Sequence, residues 1–348
     1  MHNKWTVLVN ALSREEWDGF VNECRDSTLA HLYGWKDVIK KSYGHDGYYL
    51  SVTDGRKTVG VLPLISVRSR LFANELVSMP YLDYGGVLVR DGVDDREGIA
   101  RSLLQKALQL SGELGVNNIN IRQLAPLDTD WEERLEKVTM LFEMAEDEDR
   151  LFRSLPSERR NRIRKAMRNG LSTEVTGRDG LDEFYEIFVQ NMRDLGSPVH
   201  SKEFIACILD EFPDSTMVFI VRQDAKAIGS AIAFFHKDTV SVPWVSSLRS
   251  HFSLYPNIAL YWEIMKYARA RGISCFDFGR STVGSGTFEF KRRWGASSRQ
   301  IYWYDSSAGG RSAATAAQRH SRMIEIWKRI PVPVTRVLGP MLRGGITN

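Results

Sequence analysis

Phe276-Asp277-Phe278-Gly279-Arg280-Ser281, followed by Gly284, Gly286 and Thr287-Phe288-Glu289-Phe290-Lys291-Arg292-Arg293-Trp294-Gly295, is the stretch from which the fold reads. Its first part has the pattern of a buried strand ending in a Gly turn. Its second part has that of a short basic helix with its own Gly stop. A strand end, a Gly-rich loop and a cationic helix start bring backbone N–H groups and a helix dipole to one point, the arrangement by which many α/β enzymes hold anionic substrates. The same pattern also fits a Gly-rich loop followed by a salt-bridged surface helix.

Outward from this stretch, the second half reads as Glu158–Asn169 helix, Ser172–Thr176 strand, then helices Leu181–Leu195, stopped by Gly196 and Pro198, and Ser201–Phe212. Thr216–Arg222 and Ala227–His236 form a hairpin pair that Thr239–Ser247 extends. Pro256–Arg271 is a helix closed by Gly272, Ser274–Phe278 a strand and Gln300–Tyr304 another. The first half has the same order. His45–Thr53 and Thr58–Val67 flank an Asp54-Gly55 hairpin turn. Leu76–Met79 and Val87–Val89 are short strands. Arg96–Leu114 is a helix ending at Gly115, followed by strands Ile119–Arg122 and Val138–Met144.

Two halves with one element order predict an internal duplication. The fold class is α+β: two mixed, mainly antiparallel sheets flanked by helices. The expected domains are 1–150, 151–305 and a helical tail over 306–348. In that tail Ser312–Arg329 is helical, broken at Pro331 and Pro333.

A chain of 348 residues is long for one core, which agrees with two domains. A formal charge of +4 is too small to indicate nucleic-acid binding by itself. Its distribution says more, because an acidic run (Glu143, Glu146 to Asp149) precedes a basic one (Arg159, Arg160, Arg162, Arg164, Lys165, Arg168). The cysteines, Cys24, Cys207 and Cys275, share no CxxC spacing, so neither disulfides nor a zinc site is expected. No metal is expected, since no His pair has ligand spacing. No GxSxG, Walker A or GxGxxG occurs, which leaves nucleophilic Ser, ATP and dinucleotide chemistry without support. Met1-His2-Asn3-Lys4-Trp5 precedes no long apolar run, so no signal peptide is expected.

Several groups stand out as carriers of chemistry. Arg160, Arg164 and Arg168 share one helix face at four-residue spacing, while Ile163 and Met167 point toward the core. Like charges at this spacing are unfavourable unless an anionic partner or the preceding acidic run neutralises them. Tyr81, Asp83 and Tyr84 beside Gly85-Gly86 line a pocket or cover a core edge. Lys291, in a strongly positive neighbourhood, suits a phosphate or an oxyanion. Asp277 is a base, a substrate-amine contact, or a cap of the Gly279 turn.

Four motifs together carry a resemblance: Arg159-Arg160-Asn161 opening a basic helix, Pro80-Tyr81-Leu82-Asp83-Tyr84-Gly85-Gly86, Asp277-Phe278-Gly279-Arg280-Ser281, and Phe290-Lys291-Arg292-Arg293-Trp294-Gly295. In this order, over roughly 31–304, the chain resembles the FemAB-like branch of the GNAT acyltransferase superfamily. It looks closest to the FemAB-related proteins associated with exosortase and exopolysaccharide gene clusters. The resemblance implies two tandem GNAT-like domains, with the active site in the second. It implies N-acyl transfer from an activated ester or thioester to a substrate amine of cell-envelope or exopolysaccharide metabolism, as in Fem-type peptidyltransferases. Acyl-CoA or aminoacyl-tRNA is then the co-substrate, with no tightly bound cofactor. The implied roles are catalysis by Lys291 with Asp277, and substrate binding by Tyr81, Asp83, Tyr84, Arg160, Arg164, Phe290 and Arg280. Loop amides near Gly279 are expected to help Lys291 stabilise the oxyanion.

Two departures accompany the likeness. No long heptad arm of the kind tRNA-dependent Fem enzymes carry is visible. The segment Arg249–Asn257, where GNAT enzymes place a Gly-rich pyrophosphate loop, has no Gly. The rival expectation is a non-catalytic GNAT-like protein that binds a glycan or a partner through the aromatic loop. The expected location is cytoplasmic, with peripheral contact to the inner membrane face through the cationic, apolar Ile330–Leu342 as a further reading. Pro331 and Pro333 argue against an amphipathic helix there, and favour a tail packed on the second domain.

Overall fold

The computed structural model describes residues 5–55, 57–69, 72, 74–307 and 323–347. They fall into two units: residues up to 137 with 300–307 and 344–347, and residues 138–299 with 323–343.

The first unit begins with β1 (Val7–Val9), α1 (Arg14–Glu23) and α2 (Gly34–Tyr43). Both helices precede the first expected strand. A capping box of Ser13 and Glu16 starts α1, and Gly44, in the left-handed region, ends α2. Next come β2 (Asp46–Asp54), β3 (Lys57–Val67), β4 (Glu75–Val77), β5 (Leu88–Val89), α3 (Arg96–Leu114), β6 (Asn118–Gln123) and β7 (Glu132–Arg134). β2 and β3 are antiparallel, with Asp54 opposite Lys57 across the expected turn. β4 and β6 are parallel, pairing from Glu75–Asn118 to Val77–Asn120. α3 packs its Ile99, Leu103 and Ala107 against Leu50, Leu62, Ile119 and Ile121. Gly60 permits the close approach: a Cβ there would stand 2.5 Å from Ile99 Cγ2.

The second unit repeats this order. β8 (Lys137–Glu143), α4 (Glu148–Ser154), α5 (Ser157–Arg168), β9 (Leu171–Thr176), α6 (Leu181–Leu195) and α7 (Lys202–Glu211) lead into the sheet. β10 (Thr216–Gln223), β11 (Lys226–His236) and β12 (Thr239–Ser247) form an antiparallel meander. α8 (Pro256–Ala270) connects it to β13 (Cys275–Thr282), which is parallel to β12. α9 (Gly286–Arg292) and β14 (Ser297–Gln300) follow. The sheet order is β14-β8-β13-β12-β11-β10-β9. Its core is built from Phe219, Ile264, Met265, Phe276, Phe278 and Trp294 among others.

The next strand, β15 (Tyr302–Asp305), belongs to the first unit's sheet, between β6 and β7. The strand expected over Gln300–Tyr304 is therefore two short strands in different sheets. This also moves the domain boundary. β8 pairs into the second sheet and β15 into the first, so the division falls at 137/138 and residues 300–307 join the first unit rather than closing the second.

Two further expectations change. β13 does not stop at Phe278 but runs on to Thr282, with Gly279 accommodated at φ 77°. The tail forms a regular helix, α10 (Val332–Arg343), packed on α6 despite Pro333 and Pro340. Pro333 lies in its first turn, where no intrahelical amide is needed. Most of the expected helix Ser312–Arg329 lies outside the described residues, and residues 323–327 are helical.

Candidate active site

β12 and β13 pair only at Thr239–Cys275, Val240–Phe276 and Ser241–Asp277, although β12 continues to Ser247 and β13 to Thr282. Beyond Ser241 and Asp277 the two parallel strands leave their facing edges without ladder bonds. Backbone polar groups that leave a ladder need other partners. Lys291 supplies two of them. Its Nζ donates to Gly279 O and Arg280 O, both at 2.9 Å, and the residue is buried on α9. The helix is set by Ser285, whose Oγ accepts from Phe288 N at 3.2 Å as an N-cap. Glu289 pairs with Arg292 at 2.7 Å on the exposed side.

Asp277 sits at the last β12–β13 pair, 2% exposed. Its Oδ1 accepts from Thr139 Oγ1 at 2.5 Å and from Gly279 N at 2.8 Å. The Gly279 amide expected to face an oxyanion thus donates to Asp277 instead, as in a turn cap. Thr139 lies on β8, beyond reach of any local sequence signal. Cys275, two residues earlier, is half-buried. Burial above all, then Glu143 and Asp277, pushes its thiol up to about 12, which disfavours the thiolate.

Phe290 and Trp294 enclose a residue that the arginine spacing had hidden. Arg159 is fully buried, its guanidinium carbon 5.1 Å from the Phe290 ring centre and 4.9 Å from that of Trp294. Such stacking favours a desolvated cation. Its Nε donates to Arg293 O at 3.4 Å, while Nη1 and Nη2 are buried without a hydrogen-bond partner. Burial, then Arg162, with Arg293 adding to them against Glu158, lowers its pKa to about 10. Trp294 Nε1 and Ser281 Oγ are likewise buried without partners. Buried polar groups are seldom left so, unless a ligand or water completes them. Tyr261 on α8 closes the cluster, its ring 5.7 Å from both Phe290 and Trp294. Burial raises its phenol above the usual range, so it stays protonated.

Arg159 shares the inward face of α5 with Ile163 and Ala166. Spacing by four and seven residues from an apolar pair was the available signal. Arg160 and Arg164 do share one face, roughly a third of a turn round from the inward one, and lie over α4. Arg160 Nη1 donates to Arg153 O at 3.3 Å, and Arg164 stacks 5.1 Å from the Phe152 ring. Met167, expected in the core, is exposed.

The structure therefore gathers Asp277, Arg280, Phe290 and Lys291 in the second unit, with Arg159, Trp294 and Tyr261 added. Tyr81, Asp83 and Tyr84 belong to the first unit. Tyr81 is buried at φ 73°, its hydroxyl donating to Gly344 O at 2.7 Å. Thr347, in the same C-terminal segment, donates to Glu75 Oε1 at 2.6 Å and accepts from Arg122 Nη1 at 2.7 Å through its carbonyl. Tyr81 of the aromatic loop thus holds the 344–347 segment.

At the start of α8, Tyr255 takes the left-handed conformation (φ 63°) that a Gly-rich loop would otherwise provide. Pro256 has no N–H, and the amides of Ile258 and Ala259 both donate to Tyr255 O. Few donors face outward there for a pyrophosphate.

Buried His200 and half-buried His236 give the second unit a pH response. Burial holds His200 well below the usual imidazole range, with Arg343 adding to it. Burial, then Lys237, lowers His236 to about 4 against Asp238. An unfolded imidazole titrates near pH 6.5, so the unfolded chain takes up protons first as the pH falls. Stability is then lost below about pH 6.5, and for His236 the loss continues until about pH 4. For His236 the loss between pH 7 and 5 is roughly 1–2 kcal/mol. Urea titrations at the two pH values check this, with His236→Gln expected to remove its share of the difference and leave that of His200.

Residues 157–292 match the family model described as an acetyltransferase (GNAT) domain. Among solved structures, FemX superposes with a TM-score of 0.68 at 16% identity, covering 85% of this chain and 97% of its own. L-PGS from Bacillus licheniformis is similar with a TM-score of 0.55 at 13% identity, covering 90% and 97%. A tandem GNAT protein from the clavulanic acid biosynthesis pathway is similar at 0.52 and 12%, covering 88% and 100%. No curated protein matches the sequence. The fold is thus a tandem GNAT fold, and the matched domain is the unit that carries Lys291, Asp277 and Arg159.

Proposed function

We propose that the chain is an N-acyltransferase of FemAB type, acting from the second unit. The observation that carries this reading is the opening between β12 and β13, with Lys291 fixed at its end by two β13 carbonyls. An extended acyl donor lies along the unpaired strand edges there. The substrate amine attacks the acyl carbon, and the new C–N bond replaces the ester C–O or thioester C–S bond. The leaving oxygen or sulfur departs, and the ammonium proton passes to water or to a substrate carboxylate. Holding amine and ester together supplies much of the rate. The Lys291 charge, held in a largely buried place, stabilises the oxyanion. Asp277 positions the β13 turn through Thr139 and Gly279 rather than taking the proton.

The unsatisfied Arg159 nitrogens suit a carboxylate or phosphate on one of the substrates. The acceptor is an amine of a cell-envelope or exopolysaccharide precursor, in a setting like that of the exosortase-associated FemAB-related proteins. The sparse donors at the α8 start favour an aminoacyl ester of tRNA over acyl-CoA as the co-substrate. Arg160, Arg164 and Arg168 offer phosphate contacts. The glycan-binding alternative rested on the aromatic loop, and Tyr81 is occupied there by Gly344.

Two binding measurements test the donor: calorimetry with acetyl-CoA, and filter retention of a charged tRNA mixture at low and high salt. The expected result is tRNA retention that falls with salt and falls further in Arg160→Ala/Arg164→Ala. Acetyl-CoA heat that Lys291→Ala abolishes would instead make the donor a thioester.

A further inference from the structure

α10 is packed inside out. In most surface helices the large apolar side chains face the core. Here the buried positions are Thr335 and Gly339, and the exposed ones are Val334, Val337, Leu338 and Met341. At 3.6 residues per turn those four fall within an arc of about 100°. Val337 and Met341 are 64% and 75% exposed. Met323 and Ile326, in the helical turn before α10, are exposed as well.

The inward face is anchored and specific. A Cβ on Gly339 would lie 2.8 Å from a Val199 methyl, so only Gly allows the observed approach. Arg336 forms an ion pair with Glu186 on α6. Arg343 Nε donates to His200 Nε2 at 3.0 Å, and Arg193 Nη1 donates to Lys328 O at 3.3 Å. The outward face is therefore not a helix waiting to roll over.

Charge identifies what covers this face. From 326 to 348 the sequence holds Lys328, Arg329, Arg336 and Arg343 and no Asp or Glu. The acids that reach the segment, Glu325 and Glu186, are each paired, with Lys328 and Arg336. Arg336 and Arg343 lie on the inward side and Lys328 is paired with Glu325, so the charge that bears on this face is the segment's excess of cations over acids, with Arg329 exposed beside it. An apolar face in such a net-positive segment suits the boundary of an anionic bilayer, where the side chains enter the acyl region and the excess positive charge meets headgroups. No described helix is long and apolar enough to cross a membrane, so the contact would be peripheral. We propose that the outward face of α10, with Met323 and Ile326, docks the protein on an anionic lipid surface. This is independent of the acyl-transfer reading, since it uses a different surface and is tested without turnover.

The test is co-sedimentation of the full chain with phosphatidylcholine vesicles, with and without phosphatidylglycerol, at low and high salt. Binding is expected only with phosphatidylglycerol, weakened by salt, and at least tenfold weaker in Val337→Glu/Met341→Glu. The substituted side chains are exposed, so the melting curve should be unchanged. Equal binding to neutral vesicles, or no loss in that variant, would overturn the proposal. So would loss in Arg160→Ala/Arg164→Ala alone, which would move the contact to the basic helix. Light scattering that shows a dimer, dissociated by Val337→Glu/Met341→Glu, would make the face a contact between copies and overturn it too.

Discussion

Lys291→Ala is expected to lower kcat/KM by about 10²–10³-fold, the usual effect of removing one oxyanion-stabilising donor. Alanine also leaves the Gly279 and Arg280 carbonyls without their donor, which costs about 1–3 kcal/mol of stability. The two effects are separable. Lys291→Met keeps the volume and removes the charge, so activity should fall as in alanine while more of the packing survives. Steady-state kinetics on the purified variants, beside thermal melts, provides the comparison. Full activity in Lys291→Met would leave the residue a strut for β13 and nothing more.

Trp294→Ala is expected to produce the largest loss of stability, about 3–5 kcal/mol in the second unit. The indole is fully buried and packs on Tyr261 and Phe278, with Arg159 on its face. Removing it opens a cavity and takes away half of the aromatic enclosure of a buried guanidinium. Trp294→Phe should recover most of the loss, because a ring remains. Denaturant titration distinguishes the cases, and a loss under about 1 kcal/mol in the alanine variant would mean that the site collapses around the gap.

Much of this architecture was legible because its signals are local. The turn at Asp54-Gly55, the stop of α3 at Gly115 and the basic helix before Gly295 each read from a few adjacent residues. So did the repeated element order that became two tandem units. α1 was equally readable from Ser13 and Glu16, and was missed for want of a long apolar period around it. The partners of β15 were not readable, because nothing in Tyr302–Asp305 names β6. Thr139 was hidden for the same reason: its bond to Asp277 spans separate strands. Arg159 illustrates a different limit. A run of arginines invites grouping by charge, and only the phase of Ile163 and Ala166 tells which one turns inward. In the tail, Pro331 and Pro333 read as breaks, whereas Pro331 immediately precedes a helix and Pro333 lies in its first turn.

The exchange of strands has a consequence for how this protein is made. As the chain leaves the ribosome, β6 is complete long before its neighbour exists: everything from 124 to 301 must be synthesised before Tyr302 can lie beside Gln123. Until then the nascent first sheet presents an open edge, the kind of surface on which partly made chains aggregate or recruit chaperones. A gene cut near codon 150 would fix that vulnerable state permanently in its upstream product. Supplying the downstream piece in the same cell would close the edge, so the two fragments should be soluble together and not apart.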